Sequence, residues 1–355
     1  MCDFTQYAGP STEWLEVEKK LLALTFDITQ EPLILKHAVN DGREQVASKA
    51  METLASKVHM LNHTIPTRDG STIEARSYRP ASKKISEKLP VYLFFHGGGF
   101  LFGTLASEDA TCAQIAANIG IVVVNVNYRH TPEHTFPIAW LDSQDAFEWL
   151  HSHIEEIGGD REKVVVGGIS AGGQLSASLV LEQNLGKALT KCPPVAGQVL
   201  MIPCVAHIDT FGESQAKQLK NPSHSSYVEN KDAPILPEKT VRFFMSLLKT
   251  EIPDLKDTKL NPGNATPGDV KGMPPTVFGI AGLDPLRDEA LLYAKTLAES
   301  GVPTNITLFK GVPHGFRRFG SALSACRTWD ECVEKGILWA LSNPKATGKF
   351  EVKVK

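Results

Sequence analysis

The chain has 355 residues, 42% of them hydrophobic and 22% charged, with a formal net charge of -3. Such content can bury a large core, as one big domain or two small ones. It offers no basic field for nucleic acid, no long Lys/Arg run for a membrane surface and no stretch near the roughly 20 apolar residues of a membrane-spanning helix.

Met1-Cys2-Asp3-Phe4 carries neither the basic region nor the apolar run of a secretory leader, so a cytoplasmic location is expected. The cysteines (Cys2, Cys112, Cys192, Cys204, Cys326, Cys332) are scattered, with no C-x-x-C pair and no histidine at finger spacing. Free thiols and no metal are expected. From about 5 to 56 the pattern is helical, first around Trp14, Leu15, Leu21, Leu22 and Leu24, then over 47–54, with Pro32 and Gly42 interrupting. Strands over 64–66 and 71–78 flank Arg68-Asp69-Gly70 and suit an antiparallel hairpin.

After the hairpin the text turns apolar and parallel-like, with strands predicted over 89–95, 120–127, 163–167, 195–202, 275–280 and 304–309. Helical patterns over 109–118, 141–151, 171–185, 286–300 and 322–341 lie among them. Alternation of this kind predicts an α/β fold with a sheet covered on both faces. Residues 207–271 break the rhythm, being polar and proline-rich with one helix-like piece over 237–248. The expected organisation is an N-terminal helical cap segment (1–56), a core (57–206 and 272–345), a cap insertion (207–271) over the strand ends, and a C-terminal tail (346–355).

Val164-Val165-Val166-Gly167-Gly168-Ile169-Ser170-Ala171-Gly172-Gly173 reads as a buried strand entering a Gly-x-Ser-x-Gly turn and then a helix. Only tiny neighbours let a side chain sit on so sharp a turn, which points to Ser170 as nucleophile; a helix-capping turn is the plainer alternative. His96-Gly97-Gly98-Gly99-Phe100 follows the strand over 89–95. Three glycines in a row can aim backbone N–H groups, so Gly97 and Gly98, with Ala171 from the elbow, are candidate oxyanion donors. No phosphate-loop or dinucleotide spacing accompanies them.

A serine needs a base. His314 sits in Gly311-Val312-Pro313-His314-Gly315-Phe316, a punctuated loop after a strand, where side chains reach an active edge. The other histidines have plainer readings. His151 and His153 sit near a helix end, favourable for a cation. His37, His59 and His63 belong to the N-terminal part, His130 and His134 to a turn, and His96 orders the glycine loop. Asp284, after the strand over 275–280 and next to Pro285, is the orienting acid, while Asp288 complements the dipole of the following helix.

His96-Gly97-Gly98-Gly99, the run Asn127-Tyr128-Arg129-His130-Thr131-Pro132-Glu133-His134-Thr135-Phe136-Pro137, Gly168 to Gly173, Asp284-Pro285-Leu286 and His314-Gly315-Phe316 together resemble the hormone-sensitive-lipase-like (HGGG-motif) carboxylesterase branch of the α/β-hydrolases. The resemblance implies an α/β-hydrolase fold with an eight-stranded, mostly parallel sheet and a helical cap. It also implies cleavage of carboxylic esters without a cofactor, and a pairing of Arg129 with Glu133 beneath the site. Ile169 stands where many relatives have Asp or Thr, and the turn reads Arg129-His130-Thr131-Pro132-Glu133 rather than Arg-Leu-Ala-Pro-Glu, which leaves subgroup and substrate open.

The expected partner is a small-molecule ester of small to medium acyl or alcohol groups; the oligomeric state is open, a homodimer being one option. Phe100, Leu101 and Phe102, with Ile169 and cap residues such as Phe211 or Phe243, either line an acyl or alcohol pocket or are plain core. A thioesterase, a lyase or dehydratase on the same scaffold, and a non-catalytic receptor are the rival readings; a receptor normally loses the base that His314 supplies.

Overall fold

The computed structural model of the protein describes residues 1–21 and 27–355. Leu22 and Leu24, read above as helical, lie outside the described residues.

Among the described residues nine strands form one sheet: β1 (Val58–Pro66), β2 (Thr72–Pro80), β3 (Leu89–Phe95), β4 (Val122–Asn127), β5 (Gly159–Ile169), β6 (Gly197–Met201), β7 (Thr276–Leu283), β8 (Thr304–Pro313) and β9 (Val352–Val354). Their spatial order is β1-β2-β4-β3-β5-β6-β7-β8-β9. β2 pairs antiparallel with β1 and β4, and every other pairing is parallel.

The helices are α1 (Thr12–Glu18), α2 (Pro32–Leu54), α3 (Leu105–Ile119), α4 (Ile138–His153), α5 (Ala171–Asn184), α6 (Ile208–Phe211), α7 (Ser226–Glu229), α8 (Glu238–Leu247), α9 (Arg287–Glu299) and α10 (Ser324–Ala340). None of the described helices is long and apolar enough to cross a membrane.

Strand periodicity divides the core into two layers. Val91, Leu93 and Phe95 of β3, with Val122, Val124 and Val126 of β4, join the layer roofed by α4, α5 and α9. Tyr92, Phe94 and Val123, one position out of phase, join the layer under α3 and α10. Side chains alternate across a strand, so a continuous apolar run feeds both layers at once, as parallel strands buried on both faces require.

Two expectations are corrected. The resemblance implied eight strands, but Val352–Val354 of the segment read as a tail adds a ninth, parallel to β8. Pro32 and Gly42 do not interrupt a helix. Pro32 begins α2, where its missing N–H costs no hydrogen bond, and Glu31 accepts from Leu33 and Ile34 N–H. Gly42 lies within the same helix on an open side, with nothing within 4 Å of where a Cβ would stand.

Leu93 is fully buried, whereas Ile252 is 90% exposed. Leu93→Ala is expected to lower unfolding stability by about 3 kcal/mol, and Ile252→Ala to change it by less than about 0.5 kcal/mol. Urea unfolding of both variants checks this, and equal midpoint shifts would contradict the layer assignment.

Candidate active site

Ser170 joins β5 to α5 with φ 55° and ψ -115°, a conformation sparsely populated by non-glycine residues. The cause is close packing of this turn on the end of β3. A Cβ on Gly172 would lie 2.0 Å from the Phe95 carbonyl oxygen, and one on Gly168 would lie 2.4 Å from the Gly172 carbonyl. No side chain fits at either place, so the turn closes tightly and Ser170 is thrown outward. Ser170 N–H donates to Met201 O (2.9 Å) and Ser170 O accepts from Cys204 N–H (3.3 Å), which secures the turn to the next strand.

Ser170 Oγ is 3.0 Å from His314 Nε2, and His314 Nδ1 is 2.7 Å from Asp284 Oδ2. With the Asp284 carboxylate accepting, Nδ1 carries the ring proton and Nε2 is left to accept from the serine hydroxyl. Asp284 is almost fully buried and its other oxygen accepts from Leu286 N–H at 2.9 Å. Its backbone carbonyl accepts from Asn230 Nδ2 at 3.1 Å, so a residue just past α7 helps hold the acid loop. In the first turn of α9, which follows that loop, Asp288 accepts from Arg287 Nε (2.8 Å) and Ser226 N–H (2.8 Å), which makes it a structural tie.

The glycine loop stands beside the elbow. A Cβ on Gly97 would fall 2.9 Å from Ile169 O and 3.3 Å from the Ile169 Cγ2, so Ile169 backs this loop. Tyr128 OH donates to His96 O (2.8 Å), and His96 Nδ1 lies 3.2 Å from Gly97 O. Burial pushes the His96 imidazole down to about 3, which keeps it neutral, and its contact with Gly97 O makes Nδ1–H the donor. Gly97 and Gly98 N–H donate to no protein acceptor among the described residues. Ala171 N–H, at the first position of α5, has no intrahelical partner either.

The residues expected near a pocket separate. Phe100 is buried and stacks on Trp140 with ring centroids 4.7 Å apart. Phe102 meets Phe244 of α8 edge-on at 5.7 Å, and the Phe244 ring occupies the space where a Gly99 side chain would go. Phe211 packs on Tyr227, and Phe243 on Phe244.

Phe244, Tyr128 and Arg43, whose Nη1 reaches Gly97 O at 3.2 Å, were not singled out from sequence. Tyr128 at least lies inside a quoted motif, whereas nothing local marks the other two.

Two further expectations are corrected. Arg129 does not pair with Glu133. It forms a bidentate bridge to Asp142 of α4 and a second bridge to Asp69, while Glu133 bonds Lys36 at 3.0 Å. Asp142 is completely buried and needs a fork-shaped partner, whereas Glu133 is exposed. His151 is not a helix-end cation, because burial lowers it to about 4.

Glu289 is a buried acid behind this site. Its Oε1 accepts from Val205 and Ala206 N–H, and Tyr227 OH bonds its Oε2 at 2.9 Å. Burial, with Asp284 nearby, raises it from the ordinary 4.5 to about 8. The folded chain therefore holds a proton that the unfolded chain releases near 4.5. This contribution to stability is complete below 4.5, declines as pH rises, and is lost beyond about 8. Glu289→Gln is expected to flatten that decline. Thermal midpoints measured at about pH 5 and about pH 8 check it, and an unchanged slope would contradict the assignment.

Comparison with known proteins bears on the family and the fold. A family model described as alpha/beta hydrolase fold matches residues 92–318. Esterase LipI of Mycobacterium tuberculosis is 31% identical over 307 residues, covering 85% of this chain and 88% of the relative. Ethyl acetate hydrolase of Pseudomonas putida is 30% identical over 262 residues, covering 73% and 76%. The solved hyperthermophilic esterase of the archaeon Pyrobaculum calidifontis superimposes with a TM-score of 0.76 at 30% identity, covering 94% of this chain and 99% of that one. A match over well over half of the sequence, on a nine-stranded sheet whose loops carry these motifs, means that the chain belongs to the α/β-hydrolase family, in its hormone-sensitive-lipase-like branch.

Proposed function

We propose that the chain is a carboxylesterase-type serine hydrolase acting on esters with small to medium acyl or alcohol groups. The observation that carries this reading is the hydrogen-bonded series from Ser170 Oγ through His314 to Asp284, at 3.0 and 2.7 Å. The relatives named esterase LipI and ethyl acetate hydrolase support the same chemistry.

In this reading His314 Nε2 takes the hydroxyl proton as Ser170 Oγ attacks the ester carbonyl. Asp284 holds the ring and stabilises the imidazolium that forms. Gly97, Gly98 and Ala171 N–H receive the oxyanion. The imidazolium returns that proton to the leaving oxygen as the C–O bond breaks, the alcohol departs, and water, deprotonated in turn by His314, cleaves the acyl-enzyme. The chain's own residues supply the nucleophile, the base and the oxyanion donors, and water is the second acyl acceptor.

The Phe244 ring, met edge-on by Phe102, fills the space beside Gly99, next in sequence to the donor at Gly98, which supports short substituents. Six unpaired cysteines suit a reducing compartment and support a cytoplasmic location.

Ser170→Ala is expected to lower kcat on p-nitrophenyl butyrate by at least about 10⁴-fold with an unchanged thermal midpoint; full turnover in that variant would overturn the reading. Phe244→Ala should move the kcat/KM optimum of an aryl ester series toward longer acyl chains. The matching thioester series separates esterase from thioesterase.

A further inference from the structure

One face of α2 grips both ends of the glycine loop. Arg43 and Glu44, three and four residues after Asn40, lie on the same side of the helix as it does. Asn40 Oδ1 accepts from Gly103 N–H at 2.8 Å, and Glu44 Oε1 from Thr104 Oγ1 at 2.6 Å. Between them Arg43 donates from Nη1 to Gly97 O at 3.2 Å and from Nη2 to the buried Glu108 Oε1 at 2.6 Å.

A trans peptide is planar, so its C=O and N–H point in opposite directions. Anchoring Gly97 O on Arg43 and His96 therefore fixes where Gly98 N–H points. With glycine on both sides, that peptide has no side chain of its own to hinder its rotation, so its orientation depends on what holds the carbonyl. A guanidinium on the carbonyl also draws charge through the amide and strengthens the N–H as a donor. Glu108, whose hydrogen bond orients the guanidinium, sits in the first turn of α3, directly after the loop.

We propose that Arg43 is a positioning residue for ester hydrolysis: it locks the Gly97–Gly98 peptide so that Gly98 N–H is presented to the oxyanion, and α2 thereby serves the transition state. The inference rests on Ser170 as nucleophile and Gly98 as donor.

The test is the double variant Arg43→Met/Glu108→Gln, in which no buried carboxylate is left unpaired. For p-nitrophenyl butyrate, kcat should fall about 30- to 300-fold, most of the effect of losing one oxyanion donor. KM should stay within about threefold, because the interaction is made in the transition state. The Ki of an aryl trifluoromethyl ketone, which forms a tetrahedral adduct on serine, should rise in parallel with the loss of kcat. Fluorophosphonate titration should still count one site per chain, at an unchanged thermal midpoint. Arg43→Lys should be intermediate, since an ammonium lacks the guanidinium fork.

Unchanged kcat and Ki in the double variant would overturn the proposal. So would a loss of activity matched by a loss of titratable sites or of thermal stability, which would make Arg43 a docking contact only. Should the double variant fail to fold, Arg43→Lys decides by the same split between kcat and KM. An active Ser170→Ala would instead defeat the functional reading itself, so the two failures are distinguishable.

Discussion

The contact on which the site depends is the seating of the Gly168 to Gly172 turn against the carbonyl end of β3. Added methyl groups at Gly168 and Gly172 would lie 2.0 to 2.5 Å from the Phe95 and His96 carbonyl oxygens or the Gly172 backbone. Protein interiors do not accommodate such overlap by small adjustments. The approach strains Ser170 into positive φ, and it brings the elbow beside the loop that leaves β3. Parallel pairing of β3 with β5 sets the lateral distance between the two.

The other two members of the hydrogen-bonded series arrive by the same topology. Asp284 and His314 follow β7 and β8, adjacent parallel strands whose carbonyl ends lie on the same edge of the sheet as that of β5. Short connections at that edge can converge because the strands run the same way. Around the acid loop, contacts from the 207–271 segment accumulate: Ser226 on Asp288, Tyr227 on Glu289, Glu229 on Arg287 and Asn230 on Asp284. Arg287 is fully buried, so its two carboxylate partners are obligatory rather than decorative. A segment with little regular structure is thereby tied firmly to the loop that orients the histidine.

Most of the strands and the candidate Ser, His and Asp were legible because their signals are local: apolar runs, and Gly/Pro punctuation directly after a strand. Where a partner lies far along the chain, local pattern misleads. Arg129 has Glu133 four residues away, yet it bridges Asp142 and Asp69, because the more buried carboxylate has the greater need of it. His151 looked favourable as a helix-end cation, and burial against Phe147 decided otherwise. Gly42 looked like a break, although a helix fixed at both ends by packing tolerates the roughly 1 kcal/mol that glycine costs. Val352–Val354 reads as tail because three residues show no periodicity until β8 offers an open edge.

The sequence by itself determined the alternation of strands and helices, the tight turn at Ser170, the glycine loop at Gly97 and Gly98, and the loops bearing Asp284 and His314. Each of these is written in side-chain size and backbone freedom within a few residues. Only the tertiary structure decided which groups aim and enclose them: Arg43 on Gly97, Tyr128 on His96, Phe244 over Gly99, and Asn230 on Asp284. Those contacts join residues 32 to 145 positions apart along the chain. Their orientation follows from where the sheet and its covering helices place each backbone, which no short stretch of sequence encodes.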